Sequence, residues 1–190
     1  MNREIAGTKG ERSRDQLVEC AARLFWEKGY NATGINEIIN CAGMSKGSFY
    51  FYFTSKKDLA IAVTDYYTTK RLEIISEAAS VRTWEAFVEK IIGDIIARAK
   101  EKNGFGCPFA VMGMETAFIE PDIALRNLDS LNKLTGIFEK VLKRSGVSEE
   151  KAPDCAKHSV ALYEGYLIFY RMSKDTKVLE ELLEDLKASV

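Results

Sequence analysis

Between Thr33 and Lys56 the chain reads TGINEIINCAGMSKGSFYFYFTSK. Ile35, Ile38, Ile39 and Ala42 recur at helical spacing, so a short first helix carries one buried stripe. Gly43 follows and supplies the positive φ that a tight turn between helices needs. Ser45 is then placed to cap a second helix by accepting a bond from a free backbone N–H. In that helix Phe49 and Phe53 share the inward face, while Gly47, Ser48 and Phe51 fall opposite and Tyr50 and Tyr52 lie on the flanks. Small residues at its start let the backbone approach a surface closely. The tyrosine hydroxyls and Lys46 stand where phosphates would run on either side. This is the layout of a helix-turn-helix whose second helix enters a DNA major groove. An ordinary core hairpin is the plainer alternative, and two features oppose it: hydroxylated aromatics on the outer flanks and the Lys56–Lys57 pair just beyond.

From Arg12 to Tyr67 the chain resembles the TetR family of bacterial transcription regulators. The resemblance rests on LFWEKGYNAT ending a first helix, then INEIINCAGMSKGSFYFYF, then SKKDL opening the next. It implies a three-helix DNA-binding head, an all-helical ligand-binding body and a homodimer on palindromic operator DNA. Position by position, Thr33, Ser45, Lys46, Gly47, Ser48, Tyr50, Tyr52 and Lys56 match residues that usually touch DNA. Phe51 joins them from the outward face. Gly34 departs from the family, which commonly has Thr or Ser there; this weakens the start of the second helix and removes one possible phosphate contact.

Working outward, 190 residues suffice for a real core in one domain or two small ones. Apolar residues at 46% and charged ones at 29% suit a soluble globular chain. With three prolines and almost no strand-like alternation, the expected class is all-α, with about nine helices. No apolar run approaches the roughly 18 residues of a membrane helix, and the basic N-terminus lacks an apolar segment behind it. A cytoplasmic protein without membrane contact is the expectation. Net charge is −1, divided as +3 over residues 1–72 and −4 over the rest. A basic head on an acidic body suits a protein that meets phosphate with one end only.

The spacing predicts helices at about 11–28, the two described above, 55–79, 83–101, 107–119, 121–146, 153–172 and 175–188. Residues 1–54 form the expected DNA-binding head, 55–79 the connector, and 80–190 a ligand-binding and dimerisation body. S-K-K-D at Ser55 reads as a capping box with Asp in the Glu position. The 153–172 helix is apolar on two faces, one with Cys155, Leu162, Tyr166 and Phe169, the other with Val160, Tyr163, Leu167 and Tyr170. Both faces need cover, and a second copy could supply one of them. The last two helices of each protomer are therefore expected to build a four-helix dimer interface, as the resemblance also implies.

Ligand residues are less sharply marked. Trp84, Phe87, Phe105, Phe109, Met112, Phe118, Tyr163, Tyr166 and Phe169 are candidates for an apolar cavity, although aromatics at helical spacing are more often plain core. Glu115 interrupts the apolar run GCPFAVMGMETA and could meet a cationic ligand; pairing with a neighbour such as Arg126 or Lys157 is the commoner outcome. Cys107 sits at a helix start before Pro108, where the helix N-terminus lowers a thiol's pKa and favours reaction with electrophiles. The segment is similar to a TetR subgroup in which some members sense electrophiles through a cysteine placed there. The competing reading is an inert buried thiol.

Four cysteines at no metal-like spacing argue against a zinc site or structural disulfides, so no metal or cofactor is expected. The single histidine, His158, has no nucleophile or ligand nearby in sequence, and no phosphate loop or dinucleotide fingerprint occurs, so an enzyme is not expected. The sequence points to a ligand-responsive DNA-binding regulator, most readily a repressor released by a small molecule or a thiol-reactive compound. Its rival is an architectural DNA-binding protein with no effector.

Overall fold

The structure is a computed structural model and describes residues 8–190. Nine helices are present among the described residues: α1 (Lys9–Lys28), α2 (Ile35–Ala42), α3 (Lys46–Tyr52), α4 (Lys56–Ala78), α5 (Trp84–Lys100), α6 (Pro108–Thr116), α7 (Pro121–Arg144), α8 (Ala152–Ser173) and α9 (Lys177–Ala188). The all-α class expected from the sequence is what the chain adopts.

Where boundaries differ from expectation, local chemistry explains them. α1 starts two residues early because Thr8 and Glu11 form a reciprocal capping box, each side chain bonding the other's backbone N–H. At α4 the Ser55 hydroxyl accepts from the Asp58 N–H at 3.0 Å, but the Asp58 carboxylate accepts from Thr54 rather than Ser55. With one methylene fewer than glutamate, it closes a different ring and the capping box is only half made. α6 stops at Thr116, not near Ile119. The ring of Pro121 disfavours a helical Glu120, which sits at φ −140°, so the chain must unwind before α7.

α1–α3 pack around Leu17, Ala21, Phe25, Ile38 and Phe49, all fully buried, with Phe53 closing the layer from just beyond α3. Gly43 occupies the left-handed region at φ 62°, as the turn requires. α4 runs from this head into the body and is held on two sides. Toward α1, the Tyr67 hydroxyl donates to the Ala22 carbonyl at 2.8 Å. Toward α7, Arg126 makes a two-pronged contact with Asp65 at 2.7 and 2.8 Å, and Thr68 meets Ser130 at 2.6 Å. Arg126 therefore serves the α4–α7 seam and not Glu115.

In the body, α5 and α9 close over Trp84, Phe87, Phe138 and Leu186. Of the two faces expected on α8, Val160, Tyr163, Leu167 and Tyr170 are buried within the protomer. The other is not covered: Cys155, Leu162 and Tyr166 are half-buried, and Phe169 and Met172 are 63% and 68% exposed. No helix among the described residues is long and apolar enough to cross a membrane.

Candidate functional site

The outward face of α3 is built as its sequence suggests. The Ser45 hydroxyl accepts from the Ser48 N–H at 3.1 Å and lies 2.9 Å from the Ser48 hydroxyl, fixing the first turn. Lys46, Gly47 and Tyr50 are exposed, Ser48 and Tyr52 are half-buried, and Phe51 is 80% exposed with its ring edge-on to Tyr52. A bare phenylalanine at the centre of a small polar face has no role within the protomer. It suits apolar contact with a base edge such as a thymine methyl.

Two of the expected phosphate contacts look different in three dimensions. Thr33 is buried: its hydroxyl donates to the Gly29 carbonyl at 2.8 Å and approaches that of Leu24 at 3.4 Å. The hydroxyl is consumed by the end of α1 and is not offered to a ligand. Lys56 lies with its ammonium 4.1 Å above the Tyr30 ring, and burial lowers its pKa while Glu115 raises it. Its neighbour Lys57 is turned away, bonded to Asp122 at 2.8 Å and Glu120 at 3.0 Å at the start of α7, and those contacts push it up to about 12. The acids at the start of α7 thus take up Lys57 and leave Lys56 without an ion pair among the described residues.

Beneath α1 the body holds a narrow, partly open cavity lined by Trp26, Arg71, Arg98, Cys107, Phe109, Tyr163 and Tyr170, among others. Its free space is about 30 Å³, room for roughly one water. Of the residues expected to line it, Cys107, Phe109 and Tyr163 do so. Trp84 and Phe87 belong to the α5–α9 core instead, the Trp84 indole donating to the Leu186 carbonyl at 2.7 Å. Met112 is fully buried in the core elsewhere. Phe105 stands edge-on to Trp26 at 5.2 Å and lines an adjoining open cleft. Tyr166 faces outward on α8, bonded to Asp185, while Phe118 and Phe169 are exposed. Trp26, Arg71 and Arg98 were not foreseen, since nothing periodic marks them; only packing of α1, α4 and α5 brings them together.

Glu115 meets neither Arg126 nor Lys157. Its carboxylate accepts the Asn31 N–H at 2.8 Å, gripping the turn between α1 and α2. Gly29 makes room for it with φ +100°; a Cβ there would fall 2.0 Å from the carboxylate. A second tie comes from Arg171 on α8, which donates to the carbonyls of Trp26 at 2.8 Å, Phe105 at 2.5 Å and Glu27 at 3.2 Å. The Trp26 indole in turn donates to the Gly106 carbonyl at 2.8 Å. The cavity wall and the end of α1 therefore share residues.

Cys107 does occupy the N-cap position of α6 before Pro108, without a side-chain capping bond, and its thiol pKa is raised, not lowered. Burial is the main cause and the adjacent Glu164 carboxylate adds to it; the N–H groups of Ala110 and Phe109 pull the other way and lose. The expectation of an activated thiolate is corrected on this point. Glu164 has a stem at the surface and a carboxyl inside, where neither oxygen receives a hydrogen bond. Burial raises it to about 7, and the Cys107 thiol pulls it back slightly without completing a bond of good geometry.

A three-helix head with a helix-turn-helix, joined by one long helix to a helical body with an internal cavity, defines a class of bacterial regulators. Residues 17–63 match the family described as bacterial regulatory proteins, tetR family. Residues 81–185 match the transcriptional regulator LmrA/YxaF-like C-terminal domain. The chain belongs to the TetR family, with a body of the LmrA/YxaF-like type. It is 28% identical over 186 residues to the transcriptional regulator YxaF of Bacillus subtilis, spanning 94% of this chain and 95% of that one. It is 24% identical over 178 residues to the transcriptional repressor DhaR of a Mycobacterium species, covering 90% and 88%. A TetR regulator structure from Legionella pneumophila superposes with a TM-score of 0.84 at 22% identity, over 98% of this chain and 99% of that one, which shows a common fold.

The buried hydroxyl makes Thr33→Val a structural lesion. It should lower stability by about 1–3 kcal/mol, because the Gly29 carbonyl loses its donor, while the folded protein keeps its DNA affinity. Thermal melting beside a DNA titration separates the two; unchanged melting with weakened binding would return Thr33 to the interface.

Glu164 carries a pH signature. Its folded pKa of about 7 exceeds the ordinary 4.5, so the native state retains a proton that the unfolded chain releases, and stability falls as pH rises across that window. Glu164→Gln should remove the fall. It should match the parent near pH 4.5 and exceed it at pH 8 by up to about 3 kcal/mol in urea unfolding. Parallel pH profiles would mean the carboxyl is not desolvated.

Proposed function

We propose that this TetR-family regulator is a cytoplasmic, homodimeric repressor that leaves its palindromic operator when a small molecule enters the body. The observation that carries the proposal is the shared construction of cavity and head: Trp26 lines the cavity, its indole holds the Gly106 carbonyl, and its own carbonyl is held by Arg171. A cavity with room for about one water cannot accept a larger guest unless its walls part. The α5–α6 loop and the end of α1 are the walls that would move, and Glu115 passes any shift of α6 to Asn31. The two recognition helices then lose the spacing of their half-sites. Repression is supported by the related protein named a repressor.

A non-covalent ligand fits better than a thiol-reactive one. The Cys107 thiol is buried, with its pKa raised, so the nucleophilic thiolate is disfavoured until the cavity opens. The proposed division is a head of residues 1–54, α4 as connector and a body of residues 80–190, supported by the separate family matches over 17–63 and 81–185. Dimerisation through α8 and α9 is supported by the uncovered face of α8 and the half-buried Val178 and Leu183 beside it.

The proposed DNA contacts are Ser45, Lys46, Gly47, Ser48, Tyr50, Phe51, Tyr52 and Lys56. Binding to DNA upstream of the protein's own gene, against excess random duplex, tests the reading. Tyr52→Phe and Lys56→Ala should weaken binding at all sequences, whereas Ser48 or Phe51 substitutions should alter which bases are preferred, by about 1–3 kcal/mol per position. Equal losses on specific and random DNA for both sets would contradict the groove assignment. Leu183→Arg should give monomers in sedimentation; a persistent dimer would place the interface elsewhere.

A further inference from the structure

The narrow cavity adjoins a wider cleft. Trp26, Arg71 and Arg98 also line an open cleft of about 400 Å³ between α1, α4, α5 and the α5–α6 loop. These three residues form the portal from solvent to cavity. The charge at that portal is one-sided. Arg23 and Lys70 join the two arginines along the cleft, against a single acid, Glu19, which reaches Lys70 at 3.7 Å. Neither Arg71 nor Arg98 forms an ion pair among the described residues. Arg71 lies 5.0 Å from the face of Trp26. Arg98 is about half buried at its head; burial lowers its pKa, the charge of Arg71 lowers it further, and Asp94 offsets only part.

Two guanidinium groups lining the same cavity with no ion-pair contact among the described residues, at the mouth of an apolar chamber, form an incomplete site. Each offers a planar fork of donors matched to a carboxylate, sulfonate or phosphate. DNA is not the missing anion. Arg71 lies 15 residues along α4 from Lys56, about 22 Å of helix away from the end of the head that meets phosphate. Inward of the arginines the walls are apolar and aromatic: Phe109, Leu134, Tyr163 and Leu167. No acidic side chain is among the cavity's lining residues; the nearest carboxyl, that of Glu164, lies behind Cys107 and retains its proton up to about pH 7.

We propose that the effector is an organic anion with a flat apolar body, its anionic group held by Arg71 and Arg98 at the portal and its ring system directed toward Phe109 and Tyr163. This assignment rests on the effector-site reading above. Arg71 and Arg98 would stand as determinants of ligand class, and the long-range pull of Arg23 and Lys70 would favour entry of anions. Stacking on the far side of the portal is available from Trp26, whose indole is already hydrogen-bonded to Gly106. A bound ring would therefore press on the side chain that ties the α5–α6 loop to α1.

The test uses the full-length dimer and a matched pair of dyes: 1-anilinonaphthalene-8-sulfonate and the neutral N-phenyl-1-naphthylamine, which has the same rings without the sulfonate. Affinities are read by fluorescence titration and calorimetry for the parent, Arg71→Gln and Arg98→Gln, with melting curves to confirm that the variants fold. The sulfonate should bind the parent about tenfold or more tightly than the neutral dye. Each arginine substitution should erase most of that preference and leave the neutral dye unchanged. Equal affinities for the two dyes, or sulfonate binding indifferent to both substitutions, would overturn the proposed ligand chemistry and leave the effector reading standing. Arginine-dependent sulfonate binding that does not loosen operator complexes would do the reverse, upholding the ligand chemistry and sinking the effector reading.

Discussion

The end of α1 cannot satisfy itself. A helix leaves its last carbonyls without intrahelical donors, and burying them unpaired is costly. Here the donors come from far along the chain. Arg171 supplies Trp26 and Glu27, while Thr33 supplies Gly29 and approaches Leu24. The turn that follows is closed by Glu115, which accepts the Asn31 N–H. One helix end is thus completed jointly by the head, by α6 and by α8. The orientation of the head is a property of the body, and Gly29 is glycine because its φ of +100° strains any side chain and the Glu115 carboxylate lies where a Cβ would be.

Around that junction, burial outranks the other local effects. Cys107 sits at a helix N-terminus, a position worth a few tenths to about 1 kcal/mol to a negative charge. It is also enclosed and faces a carboxyl, and desolvation of a buried group outweighs that benefit. Glu164 shows the same ordering, with a proton retained near neutrality and no donor to reward its charge. Surface ion pairs such as those of Lys57 orient the start of α7 but contribute little to stability, being open to solvent.

The head was legible because its rules are local. Isoleucines at helical spacing, a glycine in the left-handed turn and a serine cap each act within four residues, and the structure honours them. The cavity was legible only in part. Trp84, Phe87, Phe109 and Tyr163 are all large apolar residues on helices, and nothing in their periodicity separates core from chamber wall. That distinction depends on which helix packs opposite, and α9 claims the first two. Arg71 and Arg98 were invisible for a related reason: each reads as a solvated charge on its own helix, and only the crossing of α4 and α5 makes them a pair. Thr33 is a different case. The resemblance marks it as a DNA contact, but in the fold its hydroxyl bends inward to the Gly29 carbonyl.

The body is packed unevenly. Phe138, Trp84 and Phe87 form a dense aromatic cluster on one side of the body, with centroids 5.2 to 5.7 Å apart, where a guest would have to break close packing. On the other side the wall is a loop with glycines at 104 and 106, held by backbone carbonyls to Trp26, Tyr170 and Arg171. Hydrogen bonds to a loop can be exchanged for bonds to a ligand, whereas a packed aromatic contact once opened leaves a void. The path of least resistance for a guest is therefore through the loop, and that loop is bonded to α1. Under the proposed function, selective weakness on this side is what would let occupancy of a small chamber become a change in the angle of the head.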